Sequence, residues 1–259
     1  MLLRIEDHDR QRSRPEYEER ILEDLAWLGF QADEPMVRQS ERGAIYDEAL
    51  ETLRRRGLVY ACGCSRAEIA ARHSHSGPMH LAPSHPAPRE VHRAAVRDDA
   101  ELRYPGTCRD RGLADGPGVG LRVRLDPSVE RFVDLRLGPQ EQRPSEQCGD
   151  LLARDRDGNW TYQFAATVDD FVQGVTLVIR GVDLLASTGR QIQLARLLGR
   201  AEPADFLHHG LIMKTLTSAE GYGGQAQKLS KSDGDTGIRE LRARGWTPQQ
   251  VIDAALSAI

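Results

Sequence analysis

Lys228-Leu229-Ser230-Lys231-Ser232 sets two ammonium groups three residues apart, inside a Gly- and Ser-rich loop running from Gly221 to Asp235. Backbone N–H groups, hydroxyls and flexible cationic stems together suit a polyphosphate. Lysine stands only at 214, 228 and 231; every other one of the 35 basic residues is arginine. That scarcity argues that Lys228 and Lys231 are chosen, against the plainer reading of a solvated basic loop.

Two further groups of residues are equipped for chemistry. Cys62-Gly63-Cys64 brings two thiolates within reach of one ion, and Cys108 supplies a third. Structural zinc wants four ligands, usually Cys or His, and His73, His75, His80 and His85 are available for the fourth place. Three buried cysteines without metal are the alternative, and Cys148 belongs to neither pattern. Arg180 ends the apolar run Val175-Thr176-Leu177-Val178-Ile179 and is followed by Gly181-Val182-Asp183. Parallel α/β sheets place ligands at such strand ends. A guanidinium there can clamp a carboxylate bidentately. The competing reading is an ion pair with Asp169, Asp170 or Asp183.

Helices and strands must position these groups. Residues 1–7 read as a short strand entering a polar loop. Pro15 to Gly29 reads as a helix on Tyr17, Ile21, Leu22, Leu25 and Leu28, and 41–57 as a second on Ile45, Leu50 and Leu53. Leu58 to Ala61 is a short strand. Residues 62–118 hold three of the four cysteines and read as an irregular insertion, part of it poorly ordered. Gly120 to Leu125 alternates as a strand, and Trp160 to Phe171 runs from strand into helix. Residues 175–180 are β-branched and apolar, which predicts a buried strand. A helix over 188–198 follows, and Thr247-Pro248 starts the last one. This alternation predicts an α/β fold with a mostly parallel sheet. The domain expectation is 1–61 as the first part of a catalytic domain, 62–118 as an insertion with the metal site, and 119–259 as the second part.

The 259 residues are 39% hydrophobic and 29% charged, a mix able to bury a core. No stretch approaches the ~18 consecutive apolar residues of a membrane span, and no secretory leader is apparent, so the expectation is a cytoplasmic globular protein. A formal net charge of −4 gives no polycation signature, although a local basic patch can still bind nucleic acid.

With these residues in view, the chain resembles class I aminoacyl-tRNA synthetases of the glutamyl type. Lys228-Leu229-Ser230-Lys231-Ser232 resembles their second signature. Leu3-Arg4-Ile5-Glu6-Asp7-His8-Asp9 is similar to their R-I-E-D-x-D stretch. Tyr162-Gln163-Phe164-Ala165 through Val168-Asp169-Asp170, Gly174-Val175-Thr176 and Val178 to Asp183 match almost continuously. The resemblance implies a Rossmann-type catalytic domain in which Lys231, with Lys228, steadies the phosphates of ATP, accompanied by Mg2+. It implies that Glu6, Tyr162 and Arg180 bind L-glutamate. Gln191 and Arg196 fall in the matched stretch without an expected direct role, and Gly77-Pro78-Met79-His80 is read as a chance match to the family's other signature.

Cys-x-Cys with Tyr-x-x-x-Cys, together with the shortness of the chain after Ser232, resembles the glutamyl-queuosine tRNA(Asp) synthetase family. That implies a structural Zn2+ on Cys62, Cys64, Tyr104 and Cys108. It also implies transfer of glutamate to the queuosine base of tRNA(Asp). A glutamate–tRNA(Glu) ligase fragment and an inactive tRNA-binding truncation are the rival expectations. The family's first strand and first signature precede R-I-E-D, whereas only Met1 and Leu2 precede Leu3 here. The expectation from this is a poorly active or inactive form, or a start codon placed too late.

Overall fold

The computed structural model describes residues 2–8, 13–75, 102–211, 213–215, 226–228 and 237–258. The N-terminal part pairs β1 (Arg4–Ile5) in parallel with β2 (Val37–Arg38) across α1 (Pro15–Trp27), and α2 (Gly43–Arg55) follows. Pro15 suits the first turn of α1, where its missing N–H is not needed, and Glu16 and Glu18 favour the positive end of the helix dipole. Tyr46, Leu50 and Leu53 fall on one face of α2 and are almost completely buried.

Next come β3 (Val59–Cys62), α3 (Arg66–His75) and β4 (Gly120–Val123). The sequence reading gave no helix at 66–75. Its local signal is a capping box. The Ser65 N–H donates to the Glu68 carboxylate at 2.7 Å, and the Glu68 N–H donates to the Ser65 hydroxyl at 3.2 Å. The expected disorder falls on residues outside the described ones. Sequence reading also passed over 126–159, where β5 (Glu130–Asp134), β6 (Gly138–Gln142), the short α4 (Pro144–Gln147) and β7 (Leu151–Arg154) lie. The chain continues through α5 (Tyr162–Val172), β8 (Leu177–Gly181), a 3-10 turn at Val182–Ser187, α6 (Thr188–Leu197) and β9 (Asp205–His209). Then come β10 (Met213–Thr215), β11 (Ala226–Lys228), α7 (Ile238–Ala243) and α8 (Pro248–Ala258).

The sheets are mixed. An antiparallel sheet runs β3-β4-β7. A four-stranded sheet runs β6-β5-β9-β8, in which β9 is parallel to both β5 and β8. The main core lies between α2, α5, α6 and the β3-β4-β7 sheet, and is built from Tyr46, Leu50, Leu53, Leu121, Val123 and Phe164 among others. A smaller cluster of Phe132, Ile192 and Phe206 joins α6 to the four-stranded sheet.

The expectation of a buried strand at 175–180 needs correction. β8 ends its sheet, and only one face is packed: Arg180 is buried, whereas Leu177 is 41% and Ile179 61% exposed. β-branched content marks strand propensity, but burial of the second face depends on what other elements cover it. Among the described residues no helix is long and apolar enough to cross a membrane.

Candidate active site and metal centre

β8 delivers Arg180 to the packed face of its sheet, 9% exposed, and neutral groups receive its hydrogen bonds. Nε donates to His208 Nε2 at 3.0 Å, one terminal nitrogen to Gln191 Oε1 at 2.6 Å, and the other to Thr188 Oγ1 at 2.7 Å. A guanidinium has five N–H donors, so these bonds leave two, one of them within reach of Tyr162. Burial pushes the Arg180 guanidinium below its ordinary value, and the charge of Tyr162, the charge of Asp170 and hydrogen bonding with Tyr162 offset part of that. Asp169 and Asp170, candidate ion-pair partners from sequence, are engaged elsewhere. Asp169 accepts from Gln39, Arg42 and Tyr46, and Asp170 accepts from Arg4.

Tyr162 opens α5, half-buried, and its phenol is raised by desolvation and then by the charge of Glu6, while Arg180 pulls it back. Glu6 and Arg180 are therefore both within electrostatic reach of Tyr162, and the fold brings all three together. Glu6 is exposed just past β1, with Arg4 donating to its carboxylate at 3.2 Å. The next two residues are fixed from β2's side. Asp7 accepts from the Ser40 N–H at 2.8 Å and the Ser40 hydroxyl at 2.5 Å. His8 Nδ1 lies 2.6 Å from Gln39 Oε1, and its ring centre is 6.4 Å from that of Tyr162.

Lys228 ends β11, which pairs antiparallel with β10 so that Met213 faces Lys228 and Lys214 faces Gln227. The backbone ribbon thus carries two of the three lysines. Lys231 and the rest of the signature lie outside the described residues. Sequence reasoning missed His208, Thr188 and Asp134, and gave Gln191 no direct role. His208 and Asp134 stand 74 positions apart, and no spacing rule links them.

The cysteine site converges as expected. The sulfurs of Cys62, Cys64 and Cys108 all lie within 4.8 Å of one another, with Cys64 and Cys108 at 3.6 Å. Tetrahedral zinc with bonds of about 2.3 Å holds its sulfurs about 3.8 Å apart, so the three fit such an ion. The Tyr104 hydroxyl lies 3.4 Å from the Cys62 sulfur and accepts the Cys108 N–H at 2.8 Å. Burial and the hydrogen bond with Cys108 push the Cys64 thiol up to about 11. Burial alone would raise Cys108 too, but hydrogen bonds from the Gly63 N–H, Tyr104 and the neighbouring thiols bring it down to about 7. Tyr104 is held from behind: its N–H donates to the Cys148 carbonyl at 2.9 Å, and a Cβ on Gly149 would sit 2.1 Å from its carbonyl oxygen. Of the rival ligands, His80 and His85 lie outside the described residues. The Cys148 thiol donates to the Pro144 carbonyl at 3.0 Å, apart from this cluster.

The model for the catalytic domain of class I tRNA synthetases for E and Q matches residues 1–256. The chain belongs to that family. Within it, the chain is similar to the Glutamyl-Q tRNA(Asp) synthetase of Bordetella bronchiseptica, 42% identical over 232 residues, spanning 90% of this chain and 64% of that protein. The protein of the same name from Rhodobacter capsulatus is 36% identical over 262 residues, spanning 96% of this chain and 85% of the relative. Among solved structures, the glutamate-tRNA synthetase of Elizabethkingia anophelis superposes with a TM-score of 0.65 at 27% identity, covering 90% of this chain and 46% of that one. Family membership puts Arg180, Tyr162 and Glu6 within a synthetase catalytic domain, Arg180 and Glu6 at the ends of parallel strands and Tyr162 at the start of α5.

Proposed function

We propose that this chain activates L-glutamate with ATP and transfers it to the queuosine base of tRNA(Asp). Arg180 carries the reading. A buried guanidinium whose direct hydrogen-bond partners are neutral, with Asp170 acting on it only through its charge at a distance, has no carboxylate of its own to pair with, which is costly unless a ligand supplies one. A carboxylate of glutamate supplies it, received by the N–H donors not taken up by His208, Gln191 and Thr188 and by the Tyr162 phenol. Glu6 takes the substrate ammonium. Lys231, helped by Lys228, follows the ATP phosphates, with Mg2+ sharing their charge. Zn2+ on Cys62, Cys64 and Cys108, with Tyr104 as fourth ligand, ties the end of β3 to the 104–108 turn. Its contribution is structural. The names of the similar proteins support queuosine-bearing tRNA(Asp) as acceptor.

Glutamate-dependent exchange of pyrophosphate into ATP tests the first half-reaction. An Arg180→Lys variant should raise the KM for glutamate with little change in that for ATP, because lysine loses bidentate geometry. Transfer to queuosine-containing tRNA(Asp), and not to tRNA(Glu), tests the second. Charging of tRNA(Glu) instead would make this a glutamate–tRNA(Glu) ligase, and tRNA binding without exchange would make it a non-catalytic RNA-binding protein.

A further inference from the structure

Arg122, like Arg180, is a buried guanidinium with no carboxylate hydrogen-bonded to it among the described residues. It lies in the middle of β4, 7% exposed, opposite Tyr60 on β3. Among the described residues no acidic side chain forms an ion pair with it. The Asp150 carboxylate accepts from Arg109, Tyr60 and the Leu125 N–H instead. Arg122 reaches Asp150 only through the backbone, donating to its carbonyl at 2.8 Å. Its other contacts are all to the cysteine site. Nε donates to the Cys62 sulfur at 3.3 Å, and the guanidinium lies 3.7 Å above the centre of the Tyr104 ring.

A guanidinium is charged at every relevant pH, so its burial calls for negative charge nearby. A thiol and an aromatic face supply little. Three thiolates around a divalent cation supply more: with Tyr104 a neutral phenol, two positive charges against three negative leave one excess negative charge. One guanidinium cancels it. The contacts suit that role, since an N–H aimed at the Cys62 sulfur strengthens as that sulfur becomes a metal-bound thiolate, and the cation stacked on the Tyr104 ring holds the neighbouring phenol in place.

We infer that Arg122 is the counter-cation and positioning residue of the cysteine site, built to make it hold a thiophilic divalent cation in its ionised form. This rests on the metal reading given under Proposed function. It assigns Arg122 no contact with the ion, only with two of the groups that bind it. Residues that orient metal ligands from behind typically change metal affinity by about 10- to 100-fold when replaced.

The test uses the full chain with zinc, and with cobalt as a coloured probe. Dissociation constants come from competition with a chromophoric chelator, and thiolate-to-cobalt absorption reports on the ligands. Arg122→Met should bind zinc roughly 10- to 100-fold more weakly, with a shifted cobalt spectrum. Arg122→Lys, which keeps the charge, should recover most of the loss, and Arg122→Gln, which keeps a donor without charge, should not. If Arg122→Met does not fold, the Lys and Gln variants decide between themselves. Metal binding within twofold of the unaltered protein in the uncharged variants would overturn the inference. So would equal losses in Lys and Gln, which would reduce Arg122 to packing. Failure of the unaltered protein to bind either ion would remove the metal reading itself, a result distinct from tight binding that ignores position 122.

Discussion

Arg180 donates its Nε–H to His208 Nε2 at 3.0 Å, while the opposite nitrogen of the same ring lies 2.6 Å from an Asp134 carboxylate oxygen. Arginine only donates, so Nε2 must carry the lone pair and Nδ1 the proton. Asp134 thereby fixes a neutral tautomer. Its two oxygens also accept the N–H groups of Arg136, Leu137 and His208 itself. The Asp134–His208 pair is thus a rigid back wall for Arg180.

This wall makes stability depend on pH. Desolvation, the largest effect, and the charge of Arg180 lower the His208 pKa from its ordinary 6.5, against the pull of Asp134. A group whose folded value is depressed contributes stability that is present above its unfolded value and lost as pH falls through the folded one. Melting temperature should therefore fall as pH drops below about 6.5. His208→Gln should flatten that dependence, measured by thermal unfolding from pH 8 to pH 5. An unchanged slope in the variant would remove His208 as its cause.

Asp169, fully buried, binds three partners at once and lies 3.7 Å from the Arg4 guanidinium. Asp169→Ala leaves Arg42, the Gln39 amide and the Tyr46 phenol without this acceptor and removes the negative charge beside Arg4. The expected cost is roughly 3–5 kcal/mol in urea unfolding. Because Gln39 bridges Asp169 to His8, whose ring lies 6.4 Å from that of Tyr162 in the proposed glutamate site, the variant should also weaken glutamate binding, read by calorimetry. Asp169→Asn, which keeps an acceptor, should lose less.

Gly149 tests the support of Tyr104. Its φ of +70° disfavours any side chain, and a Cβ would collide with the Tyr104 carbonyl oxygen. Gly149→Ala should cost more than ~1 kcal/mol and speed loss of zinc to a chelator. Gly158→Ala is the control: φ is +87° but a Cβ there meets nothing within 4 Å. It should cost some stability and leave zinc release unchanged.

Metal analysis of the purified chain should find one zinc per molecule. Cys62→Ser, Cys64→Ser or Cys108→Ser should each abolish or strongly weaken it, whereas Cys148→Ser should leave it intact. Chelation should lower the melting temperature of the unaltered protein and not that of the three serine variants. A metal-free wild type that melts at the same temperature with and without chelator would rule out the zinc assignment.

What sequence revealed here was local. α1, α2, α5 and α6 are written in apolar spacing and terminal residues, and even α3, which the reading passed over, carries its Ser65–Glu68 box. The three cysteines declared themselves by type and spacing, and their sulfurs do converge. The strands of 126–159 were harder. β5 interleaves buried Glu130, Phe132 and Asp134 with exposed Arg131 and Val133, so polarity there no longer tracks burial.

The sequence by itself determined which side chains are available: a guanidinium at a strand end, thiols near a phenol, lysines in a glycine-rich loop. Only the tertiary structure decided how their charges are compensated. It gave Arg180 neutral hydrogen-bond partners and drew Asp169 and Asp170 to other groups. It left one face of β8 open and turned Arg122 toward sulfur. Periodicity and capping act over a few residues, so they can be read along the chain. Compensation of a buried charge depends on which groups distant in sequence are packed within a few ångströms, as His208 and Asp134 are, and that is set only when the elements meet.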